Sequence, residues 1–175
     1  MPIHFHEHHA SEGRAALAEF LCAHEWPFHG RPRLSEEQVE AMSFFLPDAR
    51  TFWVLDENQE QLGLLRAQDL GDIDDGAMIF DLRIAPEHQG KGVGTSALIW
   101  LTSFLFSEYP SLHRIEAHTR GDNIPMCCLL EKCGYTHEGT LRESWPAGVG
   151  VRKDTCVFGM LRSDRNWGKP IGELR

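Results

Sequence analysis

The 175-residue chain is 42% apolar and 25% charged, enough for one buried core and too short for two ordinary domains, so residues 1–175 are read as a single domain. Its 17 basic against 26 acidic side chains, a formal net charge of −9, exclude a nucleic-acid partner, because phosphate contacts dominate that kind of binding. No apolar run of about 18 residues is long enough to span a bilayer, and the start Met1-Pro2-Ile3-His4-Phe5-His6-Glu7 lacks the basic and apolar regions of an export signal, so neither a membrane partner nor export is expected; the expected location is cytoplasmic.

In chain order, residues 3–8 alternate apolar and polar as a short strand, and 11–24 carry Ala15, Ala16, Leu17, Phe20 and Leu21 at helical spacing. A loop rich in proline and glycine, Trp26-Pro27-Phe28-His29-Gly30-Arg31-Pro32, precedes a helix whose start is marked by Ser35 with Gln38 three residues on. Residues 51–56 and 61–68 read as strands of a hairpin around Glu57-Asn58-Gln59-Glu60, and 69–76 as a polar turn. Strand 77–85, helix 92–108, strand 113–119, helix 124–133 and two closing strands near 135–144 and 151–161 complete a mixed α/β unit. Such an order suits a central sheet with helices on both faces.

Gln89-Gly90-Lys91-Gly92-Val93-Gly94 lies between the strand at 77–85 and the helix at 92–108. Glycines at alternate positions strip side chains from the turn, so main-chain N–H groups can approach a bulky anion while the helix points its positive end there. A Walker A loop would place Ser or Thr after the lysine, but Lys91 is followed by Gly92, which speaks against nucleoside triphosphates. A dinucleotide fingerprint is disfavoured by the four residues Pro86-Glu87-His88-Gln89 between strand and glycines, and by the lack of an acidic residue about 20 positions on. What remains is a diphosphate cradle of another kind, or an ordinary tight turn.

The pattern Gln89, Gly92, Gly94 resembles the acetyl-CoA motif of the GNAT N-acetyltransferase superfamily, Gln/Arg-x-x-Gly-x-Gly/Ala. Leu82-Arg83-Ile84-Ala85-Pro86-Glu87 resembles the strand that leads into it. Downstream, Arg114-Ile115-Glu116-Ala117-His118-Thr119, Asn123, Leu130-Glu131-Lys132-Cys133-Gly134-Tyr135 and Glu138-Gly139-Thr140-Leu141-Arg142 resemble its second half, in the order of the branch that includes ribosomal-protein N-terminal acetyltransferases. The resemblance is specific over about residues 77–162. It implies an α+β (mixed α/β) GNAT-like single domain. Its central sheet would be mixed and mostly antiparallel, with six to seven strands, splayed after a bulge between strands 4 and 5 and covered by helices on both faces.

The function so implied is acetyl-CoA-dependent N-acetyl transfer, by direct attack, to a primary amine of a small molecule or a protein N-terminus, with a homodimer as one assembly. The alternative is an inactive CoA-binding module. By resemblance, acetyl-CoA would be held by the main chain of Leu82 and Ile84, by Gln89, Gly90, Lys91, Gly92, Val93, Gly94 and Thr95, and by Asn123, which could equally cap the following helix. Asp81 and His118 are the catalytic candidates, each titratable on one of the two strands flanking the gap, with Glu116 in reserve; the other reading of Asp81 is an ion pair with Arg83. Acceptor contacts are expected from Trp26, Phe28 and His29, although the two large rings could instead anchor the loop. The sequence departs from the family at Leu130, where many members have a tyrosine acid, and at Met126, where a serine is frequent. The general acid therefore stays unassigned, and Tyr135 reads as core. No metal is expected: His4, His6, His8 and His9 lack a second ligand cluster, and the five cysteines form no Cys-x-x-Cys pair.

Overall fold

A computed structural model describes residues 2–12, 14–42, 46–73 and 78–164. Its single sheet has the order β1-β2-β3-β4-β5-β7-β6, built from β1 (His4–Glu7), β2 (Arg50–Leu55), β3 (Gln61–Gln68), β4 (Met78–Ile84), β5 (Arg114–Arg120), β6 (Thr136–Gly148) and β7 (Val151–Leu161). Every neighbouring pair is antiparallel except β4 and β5, which are joined by a crossover through a helix. The α-helices among the described residues are α1 (Ala15–Ala23), α2 (Glu36–Glu40), α3 (Val93–Glu108) and α4 (Ile124–Lys132).

Two apolar clusters sandwich the sheet. On one face α3 turns Ala97, Leu98, Leu101, Leu105 and Phe106 inward, at intervals of three and four, against Phe52, Val54, Leu65, Phe80, Ile115 and Phe158. On the other, Leu17, Phe20 and Leu21 of α1 and Val39 of α2 pack with Trp26, Trp53, Leu64 and Ala85. β2 and β3 are therefore buried on both faces, which is why they read as near-continuous apolar runs. Between them, the Asp56 carboxylate accepts the main-chain N–H of Asn58 and of Glu60, each at 2.8 Å, and closes the expected hairpin.

Three expectations need adjustment. The first helix begins at Ala15 rather than residue 11, because Glu12 accepts the N–H of His9 at 2.8 Å and holds residues 10–12 in a separate 3₁₀ turn. The helix after Ser35 has its capping box, Gln38 N–H to Ser35 Oγ at 3.3 Å and Ser35 N–H to Gln38 Oε1 at 3.0 Å, yet lasts only five residues. β6 continues to Gly148 through three register shifts against β7. The polar turn at 69–76 includes a 3₁₀ turn at Leu70–Asp72, and residues 74–77 lie outside the described residues. Among the described residues no helix is long and apolar enough to cross a membrane.

Candidate active site at the splayed strands

Parallel pairing of β4 and β5 stops almost as soon as it starts. Met78 pairs with Ile115 and Ile79 with Glu116, whereas β4 stays paired to β3 as far as Ile84 and β5 to β7 as far as Arg120. A gap therefore opens between Phe80–Ile84 on one side and Ala117–Arg120 on the other. The bulge that the resemblance implies is absent from β4, whose register with β3 runs without a shift; the two strands part because each follows its other neighbour.

The edges of that gap are main chain. Ala85 donates to the Leu62 carbonyl of β3 at 3.0 Å, and polar groups alternate sides along a strand, so the N–H and C=O of Leu82 and Ile84 face away from β3, into the gap. Gln89 Nε2 donates to the Ile84 carbonyl at 2.9 Å, so this side chain braces the turn on the end of the strand. Beyond it, Gly90 and Gly92 have φ of 71° and 84°, and a Cβ at either would meet nothing within 4 Å. Gly92 caps α3, whose first N–H groups have no intrahelical acceptor. An exposed turn of bare N–H groups at a 16-residue helix, continuous with an unpaired strand edge, fits a diphosphate joined to an extended amide-containing arm. Val93 is buried, while Lys91 is exposed. Gly94 already lies in α3, facing Leu129 and Ile84, and Thr95 follows in the first turn with its carbonyl 3.9 Å from Cys133 Sγ.

Asn123 caps α4, its Oδ1 accepting from Met126 N–H at 3.4 Å and its Nδ2 donating to Thr119 Oγ1 at 3.1 Å. It thereby ties the end of β5 to the helix beside the gap. Leu130 is fully buried, as is Tyr135, whose hydroxyl shares a 2.8 Å hydrogen bond with Thr102; burial pushes the Tyr135 pKa up. Neither side chain can meet a leaving group in the gap.

On the α1/α2 face, the candidate residues assemble around the loop between those helices. By strand alternation Asp81 and Arg83 of β4 share this face with Glu116, His118 and Arg120 of β5, and Asp81 and His118 each stand two residues beyond the last β4–β5 pair, Ile79 with Glu116. The loop bridges the two strands. Its His29 Nε2 lies 2.9 Å from Asp81 Oδ1, and its Pro27 carbonyl accepts from Arg120 Nη1 at 2.8 Å. The Arg120 guanidinium also sits 5.3 Å from the centre of the Phe28 ring.

Trp26 is 3% exposed, donates its indole N–H to the Leu21 carbonyl at 2.9 Å and packs its ring against Arg83. It is thus an anchor of the loop, not part of its open surface. Phe28 is half-buried against Arg120, and only His29 of the three loop residues faces the adjoining cavity of about 400 Å³, with Arg31, Leu34, Met42, Arg83 and Trp145.

Asp81 is 21% exposed, with one oxygen on His29 and the other 3.0 Å from Arg83 Nε. Burial alone would raise its pKa, but the Arg83 guanidinium and the His29 contact outweigh it and hold the carboxyl well below the usual carboxylate range. An Asp so held is a weak base whose geometry suits it to positioning. His118 is more open, its side chain 34% exposed, with Nε2 3.1 Å from Glu116 Oε2, and Glu116 is itself held by Arg114 Nε at 2.8 Å. Sequence reading gave Arg83 only as an ion-pair partner of Asp81 and missed Arg120 and Trp145 as parts of this site; a charged residue inside the apolar strand β4 was the available signal for Arg83.

Comparison with known proteins bears on the family and the fold. A family model described as the acetyltransferase (GNAT) family matches residues 18–135. The chain is 33% identical over 96 residues to a spermidine N(1)-acetyltransferase of Vibrio cholerae, a stretch that spans 55% of this chain and about half, 54%, of that relative's length. In structure it is similar to a spermidine N-acetyltransferase from Vibrio cholerae in complex with CoA and spermine, with a TM-score of 0.78 at 24% identity over 92% of this chain and 96% of that one. A chimera of the Vibrio cholerae enzyme gives the same TM-score at 24% identity over 93% and 97%. These two likenesses show the fold.

Proposed function

The chain belongs to the acetyltransferase (GNAT) family, and from that premise we propose that it transfers an acetyl group from acetyl-CoA to a primary amine by direct attack. The observation that carries the reading is the continuity of the open turn at Gly90 and Gly92 with the edge of β4 at Leu82 and Ile84, which no β5 residue pairs. Residues 89–95 would hold the diphosphate, and Leu82 and Ile84 the amide-containing arm, with Asn123 keeping the far wall in place through Thr119. When bound, acetyl-CoA supplies an activated acyl group as its thioester.

The chain's own work is then to position the amine and take up its proton. A lysine-like amine of pKa about 10.4 costs about 4.6 kcal/mol to deprotonate at pH 7, an N-terminal amine near 7.8 only about 1.1 kcal/mol. His118 is the better-placed acceptor of that proton: with Nε2–H donating to Glu116, its Nδ1 carries a lone pair. Asp81 instead orients His29 and Arg83. The amine nitrogen forms a bond to the acyl carbon, the carbon–sulfur bond breaks, the proton passes to the base, and sulfur leaves as the thiol. A thiolate is a stable leaving anion compared with an alkoxide, so the burial of Leu130 and Tyr135 does not argue against turnover and water can protonate it.

The motif order resembles the branch containing ribosomal-protein N-terminal acetyltransferases, while the relatives named above are spermidine acetyltransferases. We read the acceptor as a small-molecule primary amine, with a protein N-terminus as the second class. The test is release of CoA thiol from acetyl-CoA over a panel of amines. Steady release accompanied by an amine product heavier by one acetyl group is expected; acetyl-CoA binding with no release for any amine would leave the inactive binding module instead.

A further inference from the structure

The geometry points to an acceptor that carries a carboxylate as well as its amine, with Arg83 as the residue that receives the carboxylate; this rests on the acetyl-transfer reading above. Arg83 stands on the α1/α2 face of β4, between Leu82 and Ile84, whose main chain edges the gap. Its side chain is 6% exposed. Two contacts hold the guanidinium, which lines the cavity of about 400 Å³ beside the bridging loop: Nε donates to Asp81 Oδ2 at 3.0 Å, and the guanidinium carbon sits over the Trp26 ring, 5.3 Å from its centre. Its Nη1 is buried and has no hydrogen-bond partner among the described residues.

A buried guanidinium N–H without an acceptor is costly, and such groups in native proteins are almost always paired. An anionic group drawn to the guanidinium from the cavity would offset this cost, and a carboxylate matches its fork of donors. The rest of the lining argues the same way. Arg31 and His29 add cationic or donor groups, Leu34, Met42 and Trp145 supply apolar wall, and no described lining residue is acidic. The nearest carboxylate, Asp81, is already committed to Arg83 and His29. A polyamine would bring several positive charges to this wall with no acidic partner, whereas an amino carboxylate would set its negative end on Arg83 and leave its amine free to reach the gap one residue away.

The test measures CoA release with ω-amino carboxylates of two to five carbons, each beside its methyl ester, with spermidine as the polycation. At least one carboxylate is expected to exceed its ester by about 10- to 100-fold in kcat/KM, the range a charge-assisted hydrogen bond supplies, and to exceed spermidine. Arg83→Lys should narrow that ratio to roughly threefold or less, mainly through KM of the carboxylate. Should Arg83→Lys fail to fold, Arg31→Gln at the exposed rim is expected to cut the ratio by about two- to threefold through lost long-range attraction. Esters as good as acids, or spermidine preferred over all of them, in a protein that binds CoA and releases thiol would overturn the proposal and leave the acetyltransferase reading standing. Failure to bind CoA at all would instead remove that reading, and this proposal with it.

Discussion

Replacing Gly92 separates the two demands that the turn before α3 makes on its residue. At φ 84° the backbone is left-handed, and an added Cβ would meet nothing within 4 Å. Gly92→Ala therefore brings no clash, only the backbone penalty of an L-residue in that region, about 1 kcal/mol. Gly92→Glu brings the same strain and a carboxylate into the space where a diphosphate would lie. A like charge about 4 Å away costs about 1 kcal/mol at the dielectric of water and about 4 kcal/mol at an effective value of 20. The turn is exposed, so a value nearer the lower limit, about 1–2 kcal/mol, applies to each of two phosphates, or about 2–4 kcal/mol in all. Calorimetric titration should then give CoA binding weaker by about 30- to 1,000-fold for Gly92→Glu and by less than about tenfold for Gly92→Ala, with both variants melting at nearly the same temperature. A folded Gly92→Glu protein that binds CoA within about threefold of the unmodified chain would refute the cradle.

Trp26→Ala should destabilise the fold by about 3–5 kcal/mol, the usual cost of truncating a buried aromatic, because it empties the α1 cluster and strips the ring from Arg83; denaturant unfolding reads this directly, and a loss under about 1 kcal/mol would contradict its role as anchor. Asp81 has a folded pKa depressed below its unfolded value of about 3.9, so its ion pair contributes stability that is complete above about pH 5 and is lost as pH falls toward the depressed value. The melting temperature of the unmodified chain should accordingly fall more steeply between about pH 5 and pH 2 than that of Asp81→Asn; parallel curves would show that Asp81 is not held ionised by Arg83.

What could be read from residues alone followed the range of the interaction. Strand and helix placement depended on local periodicity, and the strands and helices of the described residues lie near where alternation, Ser35 and the glycines put them, apart from the later start of α1 and the longer β6. The turn at residues 89–94 was equally legible, since Gly90 and Gly92 adopt their conformation within a few residues of chain. The site on the opposite face was not. His29 meets Asp81 across 52 positions and Arg120 meets Pro27 across 93, and no periodicity encodes such pairings. Trp26 shows the same limit from another side: an aromatic ring in a loop rich in proline suits an open binding surface or a buried peg equally well, and only the Leu21 carbonyl beneath it decides. Arg83 was visible as the ion-pair partner of Asp81, but the cavity it lines is closed by a loop and by Trp145 of β6, elements far apart in the chain.

The most direct test is a crystal structure of the protein with CoA. The account predicts the diphosphate against the N–H groups of residues 90–94 and the pantetheine arm lying between β4 and β5, hydrogen-bonded to the main chain of Leu82 and Ile84. CoA bound elsewhere, or β4 and β5 found paired side by side beyond Ile79 and Glu116 with the glycine turn folded onto the protein, would contradict it.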